Sequence, residues 1–310
     1  IQRFIAFLLV LCIPIFAIAG CTNNDVANAA NQVTTNANGT YSIDTKTTTP
    51  EGKLDVYMLD IGQGDAILLK VGDEYSMIDT GDIEHRENIV AQLKTMGVTK
   101  LKNIIITHPH ADHMGGFYAI AKAMPIEHVY DDGIAVDNNM YKTYEKWIEK
   151  NKIQRTTLRS GDVVDFGHGA VFVVYAPWVE PLTDKKGETD LNNNSIVGKL
   201  IFGKFSMLFT GDAEWQEEKK LIKEQNSRLF ARILKVGHHG SRTSSSEDFL
   251  KSIKPESALI SNGMYNKYGH PHDVTLRRLQ ENNIAIYRTD TMGRIHISTD
   301  GNEWQITTER

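Results

Sequence analysis

Thr107-His108-Pro109-His110-Ala111-Asp112-His113 places three imidazoles and a carboxylate within six consecutive positions, 108 to 113. It directly follows Asn103-Ile104-Ile105-Ile106-Thr107, an apolar run that reads as a central strand. Neutral imidazole nitrogens and carboxylate oxygens are the donors that Zn(II), Mn(II) and Fe(II) accept. Alternation along the segment lets His108 and His110 project to one side while Asp112 and His113 turn to another, so one loop can serve two adjacent metals. Gly115-Gly116 then relaxes the backbone into the next helix. A loop of merely solvated or capping histidines does not account for this density.

Working outward, short apolar runs alternate with amphipathic ones. Residues 54–59 and 66–71 are flanked by glycines and suit buried strands, and 74–78 makes a third after a Gly72-Asp73 turn. Ile89, Leu93, Met96 and Val98 recur at roughly helical spacing. Downstream, strands are expected over 170–175, 195–202, 205–209 and 233–236, with a helix over 215–225. Two stretches echo each other: Tyr75-Ser76-Met77-Ile78-Asp79-Thr80-Gly81 and Phe205-Ser206-Met207-Leu208-Phe209-Thr210-Gly211-Asp212. Each reads as a hairpin strand that stops at a Gly-Asp turn and continues into a helix and another strand. Duplicated strand-rich halves with outer helices predict an α/β fold, a four-layer αββα sandwich.

The His-x-His-x-Asp-His pattern after a strand resembles the hallmark of the metallo-β-lactamase superfamily. The resemblance runs from about Leu54 to Ile306, and within the superfamily it is to the hydrolase domain attached to the competence DNA-uptake protein ComEC and to free-standing proteins like it. It rests, in order, on Leu59-Asp60-Ile61-Gly62-Gln63-Gly64-Asp65-Ala66, Ile78-Asp79-Thr80-Gly81, Asn193-Asn194-Ser195, Phe209-Thr210-Gly211-Asp212, Leu234-Lys235-Val236-Gly237-His238-His239-Gly240-Ser241 and Tyr268-Gly269-His270-Pro271. It implies a metallo-β-lactamase sandwich holding two divalent metal ions, zinc first and manganese as the alternative. His108, His110, Asp112 and His113 are then metal ligands, and Asp212 is the carboxylate that can bridge both ions. The His238-His239 pair should supply one further imidazole. Adjacent side chains on an extended segment face opposite ways, so only one of the two is expected to ligate, and both remain candidates.

Asp65 and Asp79, with Asn194 and Ser195, are expected to orient ligands or loops around the metals, simple turn formation being the alternative for Asp65. His270, in a Gly-Pro-rich loop, is expected either to contact substrate and give a proton to the leaving group or to sit in a rigid surface turn. One departure stands out. Many superfamily members carry another metal-binding histidine between the first loop and the bridging aspartate. Here His128 falls in an expected strand and His168 in a turn-like context, neither within a family motif, and the expected place carries Asn192-Asn193-Asn194-Ser195. The first metal is thereby one imidazole short, which leaves a position for water or a substrate oxygen.

The chain opens on Ile1 rather than Met, so an unusual start codon or a slight truncation is expected. Arg3, the uncharged apolar run from Phe4 to Phe16 and the small residues before Cys21 read as a secretory signal. Ile18-Ala19-Gly20-Cys21 resembles the bacterial lipobox, which makes Cys21 the expected lipidated first residue of the mature chain. Residues 22–50 are mostly Thr, Asn and Ala and cannot bury enough apolar surface to offset their ordering entropy. The expected organisation is a lipoprotein signal peptide over 1–20, a flexible tether over 21–52 and one hydrolase domain over 53–310.

Composition excludes several classes. An apolar share of 41% and a charged share of 24% rule out wholesale disorder, and 2 Cys cannot build a disulfide scaffold or a four-thiolate zinc site. A net charge of −5 argues against a general nucleic-acid coat protein, so a DNA substrate would need a local basic groove. The basic runs are Lys142, Lys146, Lys150, Lys152 and Arg155, and Arg277, Arg278, Arg288 and Arg294. Two metals about 3.5–4 Å apart would turn a water between them into hydroxide at neutral pH, with Asp112 orienting it and Asp212 holding the pair. A scissile phosphate gains most from that arrangement. The expectation is an extracytoplasmic, membrane-anchored bacterial lipoprotein acting as a metal-dependent phosphodiesterase or nuclease on DNA. The alternatives are a metallohydrolase of choline-bearing wall polymers, lactones or β-lactams, and a non-catalytic surface protein that binds DNA or wall polymer.

Overall fold

Burial that alternates residue by residue sorts the strands into two sheets sharing one core. Leu54, Val56 and Met58 face the same way as Ile67, Leu69 and Val71 of the neighbouring strand, while Ala66 and Leu68 face the opposite way. The inward set meets Phe172, Val174, Leu200, Phe202, Phe205, Met207 and Phe209 from a second sheet, and together they form the central apolar cluster. This computed structural model describes residues 32–35, 41–44 and 50–310. The expected signal and lipidation residue, Cys21, lie outside the described residues. Of the expected tether, Gln32–Thr35 and Tyr41–Asp44 are described as a two-stranded antiparallel ladder.

The first sheet has eight strands, in the order Trp304–Thr308, Ile295–Thr299, Leu54–Met58, Ala66–Val71, Glu74–Thr80, Leu101–Ile105, Ile126–Asp131 and Gln154–Thr157. The second has seven: Ala285–Arg288, Ser257–Ile260, Ile233–Lys235, Phe205–Phe209, Val197–Phe202, Ala170–Ala176 and Val163–Gly167. Helices Arg86–Thr95, Phe117–Ala123 and Asn139–Asn151 bury Leu93, Ile120 and Tyr144 against the outer face of the first sheet. Helices Trp215–Gln225, Glu247–Ile253 and Asp273–Glu281 do the same for the second with Leu221, Phe249 and Leu279. The four expected layers are therefore present, helix, sheet, sheet, helix.

The two echoing segments occupy equivalent places. Glu74–Thr80 pairs antiparallel with Ala66–Val71 and parallel with Leu101–Ile105. Phe205–Phe209 pairs antiparallel with Val197–Phe202 and parallel with Ile233–Lys235. Each half thus turns an aspartate-bearing loop and the carboxyl end of a parallel strand toward one edge of the sandwich, where open α/β sheets bind their ligands. The halves are not separate in the chain, because Ile295–Thr299 returns to pair antiparallel with Leu54–Met58.

Candidate metal centre

The loop after Leu101–Ile105 carries His108 and His110, and the short helix Ala111–Met114 carries Asp112 and His113. Asp212 follows the strand Phe205–Phe209, and His239 lies in the Gly237–Gly240 turn after Ile233–Lys235. These side chains meet in two groups that share one member. His108, His110 and Asp212 form the first, and Asp112, His113, Asp212 and His239 the second, the ligand atoms within each lying within 4.8 Å of one another. Asp212 Oδ2 is 3.8 Å from His108 Nε2, and its Oδ1 is 3.2 Å from His113 Nε2 and 3.6 Å from His239 Nε2. His239 Nε2 is also 3.2 Å from Asp112 Oδ2.

Hydrogen bonds behind the imidazoles set which nitrogen faces inward. His113 donates from Nδ1 to Asp79 Oδ2 at 2.8 Å, and His239 donates from Nδ1 to the Ser261 carbonyl at 2.9 Å. Thr107 Oγ1 donates to Asp79 Oδ2 at 2.8 Å and so can accept from His108 Nδ1 at 3.1 Å. All three rings therefore turn Nε2 toward the carboxylates. Asp79 also accepts from Thr107 N at 2.7 Å, and its backbone is held at φ 57, a left-handed conformation uncommon outside glycine. Asp65 lies 2.8 Å from Lys235 Nζ and 3.5 Å from His239 Nδ1. A third grouping of Asp65, Asp79 and His113 is spoken for by these bonds, so it supports the ligands rather than adding a site.

The buried Nε2 atoms of His113 and His239 and Oδ1 of Asp212 have no hydrogen-bond partner. Unpaired buried polar atoms converging on one point are costly in an apolar interior, and bound cations would satisfy them. Burial pushes His108 well below the usual histidine range and lowers His110, which leaves both neutral as ligation requires. Burial would raise Asp112 and Asp212, yet His113 and, for both, His239 hold them well below the usual carboxylate range. Burial opposes protonation of His113 and His239, but Asp212 with Asp79 holds His113 well above the usual histidine range and Asp212 with Asp65 carries His239 up to about 10, protons that metal ligation would displace. Excess buried carboxylate with imidazoles alongside is the donor set of a dinuclear site for borderline divalent metals.

The structure separates the two adjacent histidines for a reason other than the expected one. Both have left-handed backbones, φ 48 at His238 and φ 53 at His239, so the segment is a tight turn and not an extended strand. His239 enters the metal group, whereas His238 stays outside it, bonding Glu214 Oε1 at 3.1 Å with Nε2 3.6 Å from Asp212 Oδ2. Ser195 Oγ accepts from Asp212 N at 3.1 Å and sits 3.4 Å from His108 Nδ1. Asn194 acts one step further out: its amide bonds Leu182 N, Leu182 O and Asp190 O and holds the loop beside the site. His128 bonds Thr156 and stacks on Tyr130, and neither it nor His168 joins either ligand group.

A cavity of about 350 Å³ opens over the metal cluster, lined by His110, Asp112, Asp212, His239, Tyr268 and His270 among others. His270 stands at its wall, 5.5 Å from the His238 ring and 6.3 Å from the His239 ring. Burial, and then His239 and His238, lower His270 to about 4, so its ring is neutral near pH 7. A larger cavity, about 520 Å³, lies between outer helices near Phe117 and Tyr144, with Glu87 its one carboxylate and no histidine among the described residues. Neither basic run lines the metal cavity. Arg155 is paired with Asp131, Arg288 with Asp290, and Arg278 donates to the Ser244 carbonyl.

Sequence reasoning passed over Lys235, Glu214 and Ser261. Lys235 is 1% exposed, and its signal was a lone cation inside the apolar run Ile233-Leu234-Lys235-Val236. Gly64 is a similar case: at φ +119, a Cβ there would come within 2.4 Å of the Asp112 carbonyl, so only glycine lets the first loop close on the ligand helix.

A two-sheet sandwich with a shared-aspartate metal cluster at the strand ends defines the scaffold class, that of metal-dependent hydrolases. Residues 59–263 match the metallo-beta-lactamase superfamily, and the chain belongs to it. It is 29% identical over 79% of its length to competence protein ComA of Neisseria gonorrhoeae, covering 32% of that protein. It is 30% identical over 79% of its length to ComE operon protein 3 of Bacillus subtilis, covering 33%. The chain thus spans about a third of the curated relatives it matches. Among solved structures it is similar to the metallo-beta-lactamase fold protein YhfI of Bacillus subtilis, with TM-score 0.55 and 12% identity, over 79% of this chain and 100% of that one. Among the described residues, no helix is long and apolar enough to cross a membrane.

Proposed function

We propose that the protein is a metal-dependent phosphodiesterase that cleaves DNA outside the cytoplasm, held at the membrane by a lipid on Cys21. The observation that carries the reading is Asp212, shared between two ligand groups on the floor of an open cavity. His108, His110 and Asp212 would hold one ion and Asp112, His113, Asp212 and His239 the other. Zinc suits this mixed imidazole and carboxylate set, with manganese the alternative. When bound, the ions supply charge for the phosphate oxygens and an activated water. The chain does the positioning. Asp79 and Ser261 fix His113 and His239, Ser195 fixes the backbone of Asp212, and Asp112 orients the attacking water. His270, neutral and at the cavity wall, can hydrogen-bond a substrate oxygen beside the leaving group. Among the described residues two imidazoles join the first group, with His238 Nε2 flanking it 3.6 Å from Asp212 Oδ2, and a phosphate oxygen would complete it. Similarity to competence proteins supports DNA as the substrate.

The test is a metal-reconstituted panel on the purified chain: single- and double-stranded DNA, an aryl phosphodiester, a phosphocholine diester, a lactone and a chromogenic β-lactam. Phosphodiester turnover should fall in Asp212→Ala by more than the roughly 10–100-fold that loss of an outer partner costs. Equal turnover by the variant would overturn the shared-aspartate mechanism, and turnover of the β-lactam alone would overturn the substrate class. Fatty-acid label surviving Cys21→Ser would refute the anchor.

A further inference from the structure

Tyr268 lines the metal cavity, and the loop that leads to it carries exposed side chains that the ligand set does not explain. Met264, Tyr265 and Tyr268 are 59%, 96% and 50% exposed, and Tyr265 is the most exposed large apolar residue among the described ones. Their exposure is built in. Asn266 pins the loop from inside, donating to Gly263 O at 2.9 Å and to His270 O at 2.5 Å while accepting from Tyr268 N and His270 N. Tyr265 is held at φ 56 with its ring in solvent. From Tyr268 inward the rings run nearly parallel, Tyr268 to His270 at 5.6 Å and 23°, then His270 to His239 at 6.3 Å and 28°. The series leads from solvent to a metal ligand. Lys267, exposed, lies between the tyrosines in sequence with its ammonium 5.1 Å from the Tyr268 ring.

We propose that the Met264–Tyr268 loop is a nucleobase-binding rim that makes the site one for an unpaired strand. Tyr268 takes the base beside the phosphate at the metal cluster, Tyr265 takes a further base, and Lys267 meets the phosphate between them. The inference deepens the phosphodiesterase reading and rests on it. Aromatic faces interleaved with a cation suit single-stranded nucleic acid, since every base offers a π-face and each phosphate a charge. A paired duplex keeps its base faces inside the stack and cannot offer them to a rim of this kind. The rim also supplies a local cation at a site whose lining lacks lysine and arginine among the described residues.

The test uses the full metal-loaded chain and three probes: a short oligothymidylate, an abasic phosphodiester strand of the same length, and the corresponding blunt duplex. Binding is read by fluorescence anisotropy and turnover separately, in wild type, Tyr265→Ala, Tyr268→Ala and Tyr268→Phe. Each alanine variant should weaken binding of oligothymidylate about tenfold and leave the abasic strand unchanged, with Phe restoring the loss. Wild type should bind the duplex more weakly than the single strand. Equal affinity of wild type for the base-bearing and abasic strands, or equal losses on both in the variants, would overturn the rim. Tyrosine-dependent binding without hydrolysis would keep the rim and overturn the phosphodiesterase. Hydrolysis indifferent to bases would do the reverse.

Discussion

Lys235 shows how the centre is held from beneath. Its ammonium and the Asp65 carboxylate are both almost fully buried and 2.8 Å apart, and burial, opposed by Lys235 and then His239, leaves Asp65 at about 2. Taking one member of such a pair away strands a charge in the interior, so Lys235→Met should destabilise the fold by about 3–5 kcal/mol in urea titrations. The double variant Asp65→Asn/Lys235→Met should recover much of that loss, because no buried charge is then left alone. A Lys235→Met protein as stable as wild type would show that the pair is not buried in solution. The His/Asp cluster was legible because four of its members sit within six residues, where spacing alone brings them together. The choice between His238 and His239 was not, since it depends on two consecutive left-handed residues that no local pattern announces.

Elements are locked to one another by polar contacts at their ends. Glu218, in helix Trp215–Gln225, accepts from Ser245 N at 2.5 Å and Ser246 N at 3.0 Å, tying that helix to the segment that caps Glu247–Ile253. Burial pushes Glu218 from 4.5 up to about 7, against the pull of those donors. Between those values the unfolded chain has released the proton that the folded chain keeps. Stability should therefore fall as pH rises through this window, by on the order of 3 kcal/mol, and Glu218→Gln should flatten the profile. Asn138 caps helix Asn139–Asn151 through Tyr141 N at 2.8 Å, and Asn138→Ala should cost about 0.5–2 kcal/mol in thermal melts. Strands such as Ala66–Val71, Ala170–Ala176 and Phe205–Phe209 were readable from short apolar runs, whereas the polar Gln154–Thr157 and the mixed Val163–Gly167 were not. Ala285–Arg288, Ile295–Thr299 and Trp304–Thr308 mix polar with apolar residues; the first two are drawn into their sheets by distant strands, and the third by its hairpin with Ile295–Thr299.

At the scale of the molecule, the metal cluster joins loops from both sheets, so bound cations should act as a clasp across the sandwich. Ligand that binds only the folded state adds stability by mass action, about 4 kcal/mol at a thousandfold excess over the dissociation constant. A chelator should accordingly lower the melting temperature of wild type, with little effect on Asp212→Ala, and an equal drop in both would place the metal elsewhere. The return of Ile295–Thr299 to Leu54–Met58 carries a different consequence, one of timing. Leu54–Met58 pairs at once with Ala66–Val71 but waits for a segment far along the chain, Ile295–Thr299, before its other edge is covered. Until then an apolar strand edge stays open, and closure must draw together segments far apart along the chain. Such topologies fold slowly, and the open edge is a template for pairing with other chains. The hairpin of Ile295–Thr299 and Trp304–Thr308 is thus expected as a late step of folding, one that covers the open edge of Leu54–Met58.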